Sequence, residues 1–140
     1  MLLTYDLLLT PCTLPIYPRH IVYNVKTEPM GFMVRRRYND FNWLRETLAS
    51  KYEGLFIPTL PTSSFLAISS DPNGVFVRNR MVQLQLFMQT LIQIPFVMFD
   101  SNLRDFLSVL DEKEFKILTE RKETEVIPNS GFKIVYELQP

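Results

Sequence analysis

The chain is poor in the residues that most reaction chemistry needs. One cysteine, Cys12, excludes an intramolecular disulfide and fits a reducing compartment. One histidine, His20, leaves no spaced His or Cys set for zinc. A nucleophile–histidine couple would have to use that single imidazole, and no companion motif surrounds it. The four glycines are scattered, so no glycine-rich loop is available to cradle a nucleotide phosphate. Carboxylates are plentiful, but none is marked as an acid/base pair, and nothing argues for an enzyme, a cofactor or a metal. No apolar run approaches the roughly 20 residues that span a bilayer. The apolar start, Met1 to Leu9, carries Asp6 and no basic flank, and so makes a poor signal peptide. The expectation is a cytosolic domain. The formal net charge is zero, which gives no general attraction to nucleic acid.

What is present is bulk for a core and punctuation for turns. Hydrophobic residues make up 46% of the 140, enough to argue against disorder, and ten prolines divide the chain. Charge is unevenly spread. From Arg19 to Arg104 there are ten basic and six acidic side chains; from Asp111 to Glu125 there are four basic and six acidic. This division suggests a locally basic body at 1–110. A charged extension follows at 111–140, a candidate linker to a further domain.

Tyr5 to Thr10 reads as a first strand, ended by Pro11 and Pro15. Ile21, Tyr23 and Val25 alternate with His20, Asn24 and Lys26 in a second. After a turn at Glu28 to Gly31, Phe32 to Tyr38 returns. Phe32, Val34 and Arg36 share one face of that strand, and Met33, Arg35 and Arg37 share the other. The expected fold class is α+β, a three-stranded antiparallel sheet packed against a helical subdomain with a proline-rich turn between helices. Arg36 and Arg37 then point opposite ways. Arg35 and Arg36 read as solvated or structural, with a carboxylate as the natural partner of Arg36. Arg37, at a strand-to-helix junction, is the candidate phosphate ligand, because a planar guanidinium donates two parallel hydrogen bonds to an oxyanion.

Asn39 or Asp40 is placed to cap a helix running to about Lys51, with Phe41, Leu44 and Leu48 inward and Trp43 flanking them. Ile57 to Pro61 has a Pro-x-x-Pro spacing that favours an extended segment. Thr62 to Asn73 is a loop interrupted by Phe65-Leu66-Ala67-Ile68, an apolar tip with two open explanations: it folds back onto the core, or it stays exposed for a membrane or partner. A long helix follows, about Val75 to Ile94, with Phe76, Leu84, Phe87, Met88 and Leu91 in a buried stripe and Arg80 at its margin. An arginine there needs solvent, an acid or a bound anion. Pro95 ends it. Ser101 is the expected cap of a last short helix with Leu103, Phe106, Leu107 and Leu110 inward. Asp111 to Glu125 is a further candidate helix with Glu112 paired to Lys116. Phe132, Ile134, Tyr136 and Leu138 alternate as in a strand.

Three segments in order carry a resemblance: Arg36-Arg37-Tyr38-Asn39-Asp40-Phe41-Asn42-Trp43-Leu44, then Ile57-Pro58-Thr59-Leu60-Pro61, then the helix from Phe76 to Met88 with Arg80 four residues before Leu84. Together they resemble a PX (phox homology) domain of the sorting-nexin kind over about Tyr5 to Leu110. The resemblance implies a peripheral module of endosomal trafficking and protein transport that binds phosphoinositide headgroups, most often phosphatidylinositol 3-phosphate. It implies that Arg37 clamps the 3-phosphate, that Tyr38 lies beneath the inositol ring, and that Arg80 bonds the ring's 4- and 5-hydroxyls. Phe65, Leu66 and Ile68 would enter the bilayer interface. One departure stands out: Pro61-Thr62-Ser63-Ser64 lacks the lysine that faces the 1-phosphate in strong binders. Ser63 or Ser64, as a neutral donor, and Arg78 are the candidate substitutes. Without them the domain binds another phosphoinositide, or is a scaffold with weak or lost lipid binding, offering the Pro58–Pro61 segment or the helical hairpin to a protein partner.

Overall fold

The computed structural model describes residues 6–12, 22–61 and 75–124. Ser63, the apolar tip Phe65-Leu66-Ile68, His20 and the alternating segment at 131–138 lie outside the described residues. The fold is α+β. Strands β1 (Asp6–Cys12), β2 (Val22–Glu28) and β3 (Phe32–Arg37) form an antiparallel sheet in the order β1-β2-β3. In the β2–β3 register Val25 faces Val34, and Tyr23 faces Arg36. The turn between them closes at Gly31, whose positive φ of 72° suits a residue without Cβ, and whose N–H donates to Thr27 O at 2.8 Å. The period of two sorts the sheet's faces: Tyr23, Val25, Val34 and Arg36 are buried, while Arg35 and Arg37 are half-buried.

Helix α1 (Tyr38–Lys51) starts one residue after β3. Its cap position is Arg37, and neither Asn39 nor Asp40 occupies it. Asp40 instead sits in the first turn, where its carboxylate accepts from the Arg37 N–H at 2.9 Å, the returning half of a capping box. Phe41, Leu44 and Leu48 are fully buried, as their spacing predicts. The long helix α2 (Val75–Ile92) stops two residues short of the expected end. Pro95, whose missing N–H is tolerated at a first turn, opens the short helix α3 (Pro95–Met98).

Helix α4 (Ser101–Ser108) is capped by Asp100, not Ser101: Asp100 Oδ1 accepts from the Asn102 N–H at 2.7 Å. Because α4 ends at Ser108, Leu110 is off the helix and exposed, contrary to its expected place in the core. Helix α5 (Glu112–Thr124) forms where charge pairing predicts it, with different partners. Glu112 meets Arg35 at 3.4 Å, and Lys116 meets Glu120 at 3.8 Å.

The core is a seam of aromatic rings running through these elements. Tyr23 meets Phe41 edge-on at 6.2 Å, Phe41 meets Phe106 at 5.1 Å, and Phe106 meets Phe115 at 6.0 Å. Phe115 meets Trp43 at 5.5 Å and closes the seam. Edge-to-face contacts of this kind add about 0.5–1.5 kcal/mol each beyond the area they bury. Phe115 belongs to α5 and is only 2% exposed, so the charged extension begins as part of the packed body.

Candidate functional site

The strand-to-helix junction sends its three arginines to three environments. Arg36, 1% exposed, points into the body. Its Nε donates to Phe106 O at 3.0 Å, Nη1 to Arg35 O at 2.9 Å, and Nη2 to Val109 O at 2.5 Å. Its guanidinium also lies 3.8 Å from the Phe115 ring centroid. Burial lowers its pKa to about 10, against the pull of Asp40 and Glu112, so it stays charged at neutral pH. Its partners are the open carbonyls at the end of α4 rather than the carboxylate expected from sequence. Arg35 pairs with Glu112.

Arg37 turns the other way. Its side chain is 42% exposed, and its Nε is 3.8 Å from Asp40 Oδ1, a loose ion pair and the guanidinium's one ion pair among the described residues. Burial raises the pKa of Asp40, opposed by the hydrogen bond from the Arg37 N–H and by the arginine charges. The next residue, Tyr38, starts α1 and is held at its far end: its hydroxyl donates to Pro61 O at 2.6 Å. Arg45 Nε donates to Pro58 O at 3.1 Å, so α1 fixes the proline-rich turn at two carbonyls. Pro58 is buried, Thr59 is exposed, and Leu60 and Pro61 are half-buried.

Arg80 arrives from α2. It is 4% exposed and lies within the buried stripe, not at the margin that the helical pattern suggested. Its guanidinium stacks on the Tyr38 ring, 3.6 Å from the centroid. Stacking uses the flat face of the cation and leaves its edge for acceptors. Among the described residues, Arg80 has no carboxylate partner, and its buried Nε has no hydrogen-bond acceptor. A buried cation in that condition calls for an anion or a hydroxyl oxygen. Tyr38 therefore joins two arginines, Arg37 by sequence and Arg80 by stacking, from elements about forty residues apart. Arg78, two residues before Arg80, is exposed.

Tyr23 was not a candidate from sequence. It is fully buried, and its hydroxyl has no hydrogen-bond partner among the described residues. Burial raises its pKa and the Arg80 charge opposes that rise, so the guanidinium is within electrostatic reach of the phenol. Its place in the alternating apolar pattern of β2 marked it only as core. Among the described residues, no group of three or more His, Cys, Asp or Glu is gathered as a metal site, and no helix is long and apolar enough to cross a membrane.

The family model for the PX domain matches residues 26–110. Sorting nexin 1 of Arabidopsis thaliana is 36% identical over 80 residues, covering 57% of this chain and 20% of that protein. Sorting nexin-33 of Xenopus tropicalis is 27% identical over 119 residues, covering 85% of this chain and 21% of that protein. The chain thus spans about a fifth of the length of these relatives. An X-ray structure of a designed CISK-PX domain superposes with a TM-score of 0.60 at 24% identity, covering 75% of this chain and 98% of that one, a likeness of fold.

Proposed function

Because the chain belongs to the PX domain family, we propose that it is a phosphoinositide-binding module that targets membranes, with phosphatidylinositol 3-phosphate as its preferred headgroup and endosomal trafficking as its setting. The observation that carries this reading is Arg80: a nearly buried cation with no acid beside it among the described residues, stacked on Tyr38, whose neighbour Arg37 makes only a loose ion pair to Asp40 among them. In this reading Arg37 takes the 3-phosphate, Tyr38 supplies the floor, and the edge of Arg80 takes ring hydroxyls. Arg78 and Ser63 stand in for the absent lysine, and Phe65, Leu66 and Ile68 enter the bilayer. The relatives named as sorting nexins support the trafficking setting.

The test is co-sedimentation with vesicles that each carry one mono- or bis-phosphorylated phosphoinositide, at near-physiological salt. Wild type is expected to pellet with phosphatidylinositol 3-phosphate and not with vesicles whose only anion is phosphatidylserine, since the formal net charge is zero. Arg37→Ala and Arg80→Ala each remove charge-assisted hydrogen bonds of about 1.5–3 kcal/mol, roughly a ten- to hundredfold loss of affinity. Failure of wild type to pellet with any of these lipids would end the headgroup reading. A second reading would then stand, protein docking on the helical hairpin. Val82 and Leu86, one turn apart on α2, are 62% and 63% exposed and give that reading its apolar surface.

A further inference from the structure

Helix α1 holds the proline-rich segment through a matched spacing of donors and carbonyls. Tyr38 and Arg45 stand seven residues apart on α1. Seven residues of α-helix advance about 10.5 Å and return to nearly the same face. Pro58 and Pro61 stand three residues apart on the segment that follows. Three residues of extended, polyproline-like chain advance about 9 Å and bring the carbonyl back to the same side. The two repeats nearly coincide, so two donors on one face of α1 meet two carbonyls on one side of the segment. Arg45 Nε donates to Pro58 O at 3.1 Å, and the Tyr38 hydroxyl donates to Pro61 O at 2.6 Å. Arg45 is itself steadied, since its Nη1 donates to Glu46 Oε1 at 3.0 Å. A slip of the segment by one residue would turn its carbonyls away from both donors. Tyr38 then carries the effect into the site. Its ring is held at one end by the start of α1 and at the other by Pro61 O, and the Arg80 guanidinium stacks on it 3.6 Å from the centroid. The plane of a stacked guanidinium follows the plane of the ring beneath it.

We propose that Arg45 is a positioning residue for headgroup binding: it sets the register of the Pro58–Pro61 segment on α1, which keeps Pro61 O against the Tyr38 hydroxyl, and the ring so held fixes the plane in which Arg80 presents its edge to a ligand. This rests on the functional reading above and deepens it. Arg45 lies two helical turns from Tyr38 and acts only through the segment and the ring. Its role leaves no mark in the helical pattern, because its partner is a backbone carbonyl 13 residues further on.

The test is calorimetric titration with short-chain soluble phosphatidylinositol 3-phosphate, each variant being measured well below its own thermal midpoint so that unfolding does not enter. Arg45→Met keeps the aliphatic stem and removes the donors. Its affinity is expected to fall roughly fivefold, the size of couplings within one hydrogen-bond network. Tyr38→Phe keeps the ring, loses the bond to Pro61 O, and is expected to lose about as much. The double variant is expected to bind no worse than either single one, since both break the same path. Arg45→Lys, which keeps a donor, is expected to fall between Arg45→Met and wild type. Unchanged affinity in Arg45→Met, with Arg37→Ala still weakening binding, overturns the proposal and leaves the headgroup reading intact. Losses that multiply in the double variant show that Arg45 does not act through Tyr38 and also overturn it. No binding by wild type removes both readings together.

Discussion

Arg36 shows how a charged residue can serve the core. A planar cation fits this place because the end of α4 offers carbonyls in fixed directions while Phe115 offers a flat face, and both can be met by one guanidinium. Arg36→Ala would leave the carbonyls of Phe106 and Val109 without this donor and remove the platform under Phe115. We expect a loss of about 3 kcal/mol or more, read as a lower urea midpoint at unchanged slope. Arg36→Lys keeps the charge but not the fork, and is expected to recover less than half of that loss. Sequence made the opposite facing of Arg36 and Arg37 legible, because alternation is local. It could not name the partners of Arg36: carbonyls 70 and 73 residues away leave no mark in side-chain pattern.

Between elements, the end of α1 is tied to the start of α4 by one carboxylate. Asp100 Oδ2 accepts from Lys51 Nζ and from the Tyr52 hydroxyl, each at 2.6 Å, while Oδ1 caps α4. Burial alone would raise the Asp100 carboxyl, but the hydrogen bonds from Lys51, Tyr52 and the Asn102 N–H outweigh it and hold the group below its ordinary value. A lowered folded-state pKa contributes stability that is complete above the unfolded carboxylate range and is lost as pH falls through the folded value. Asp100→Asn is therefore expected to be less stable than wild type at neutral pH, with the gap narrowing in acid below the usual carboxylate range. Urea titrations across that range would show it, and a constant gap would refute it. The sequence pointed to Ser101 because serine is a strong cap. The network around Asp100 decided for its neighbour, and that network depends on where α1 ends.

For the molecule as a whole, the open question was where the folded body stops. The PX match ends at residue 110, yet Phe115 fills the last place in the aromatic seam. The folding unit is proposed to run into α5. Phe115→Ala should cost about 3–5 kcal/mol, the usual range for deleting a buried aromatic. A chain ending at Leu110 should melt at least as far below a chain ending at Thr124. Equal melting temperatures would return α5 to the status of a tail. The charge run from Asp111 hid this role, since one phenylalanine among acids and lysines carries little weight in a hydrophobic pattern. Phe115 and Leu118, three apart on one helix face, were the available signal. By contrast, the inward faces of β2 and α1, and of α2 from Leu84 to Leu91, were legible because each repeats its period; on β3 the pattern failed at Phe32, which is exposed, and on α2 it set Arg80 too far out, while the side chain of Phe76 lies outside the described residues.

The chain has one tryptophan, Trp43, and its ring lies edge-on to Phe115, at the contact where α5 joins the body. The protein thus carries an optical label at that joint without any chemical modification. Emission from this indole is expected to be blue-shifted while α5 is seated and to move to the red when it leaves. The seating of the helix can in this way be followed with light alone and in the presence of membranes.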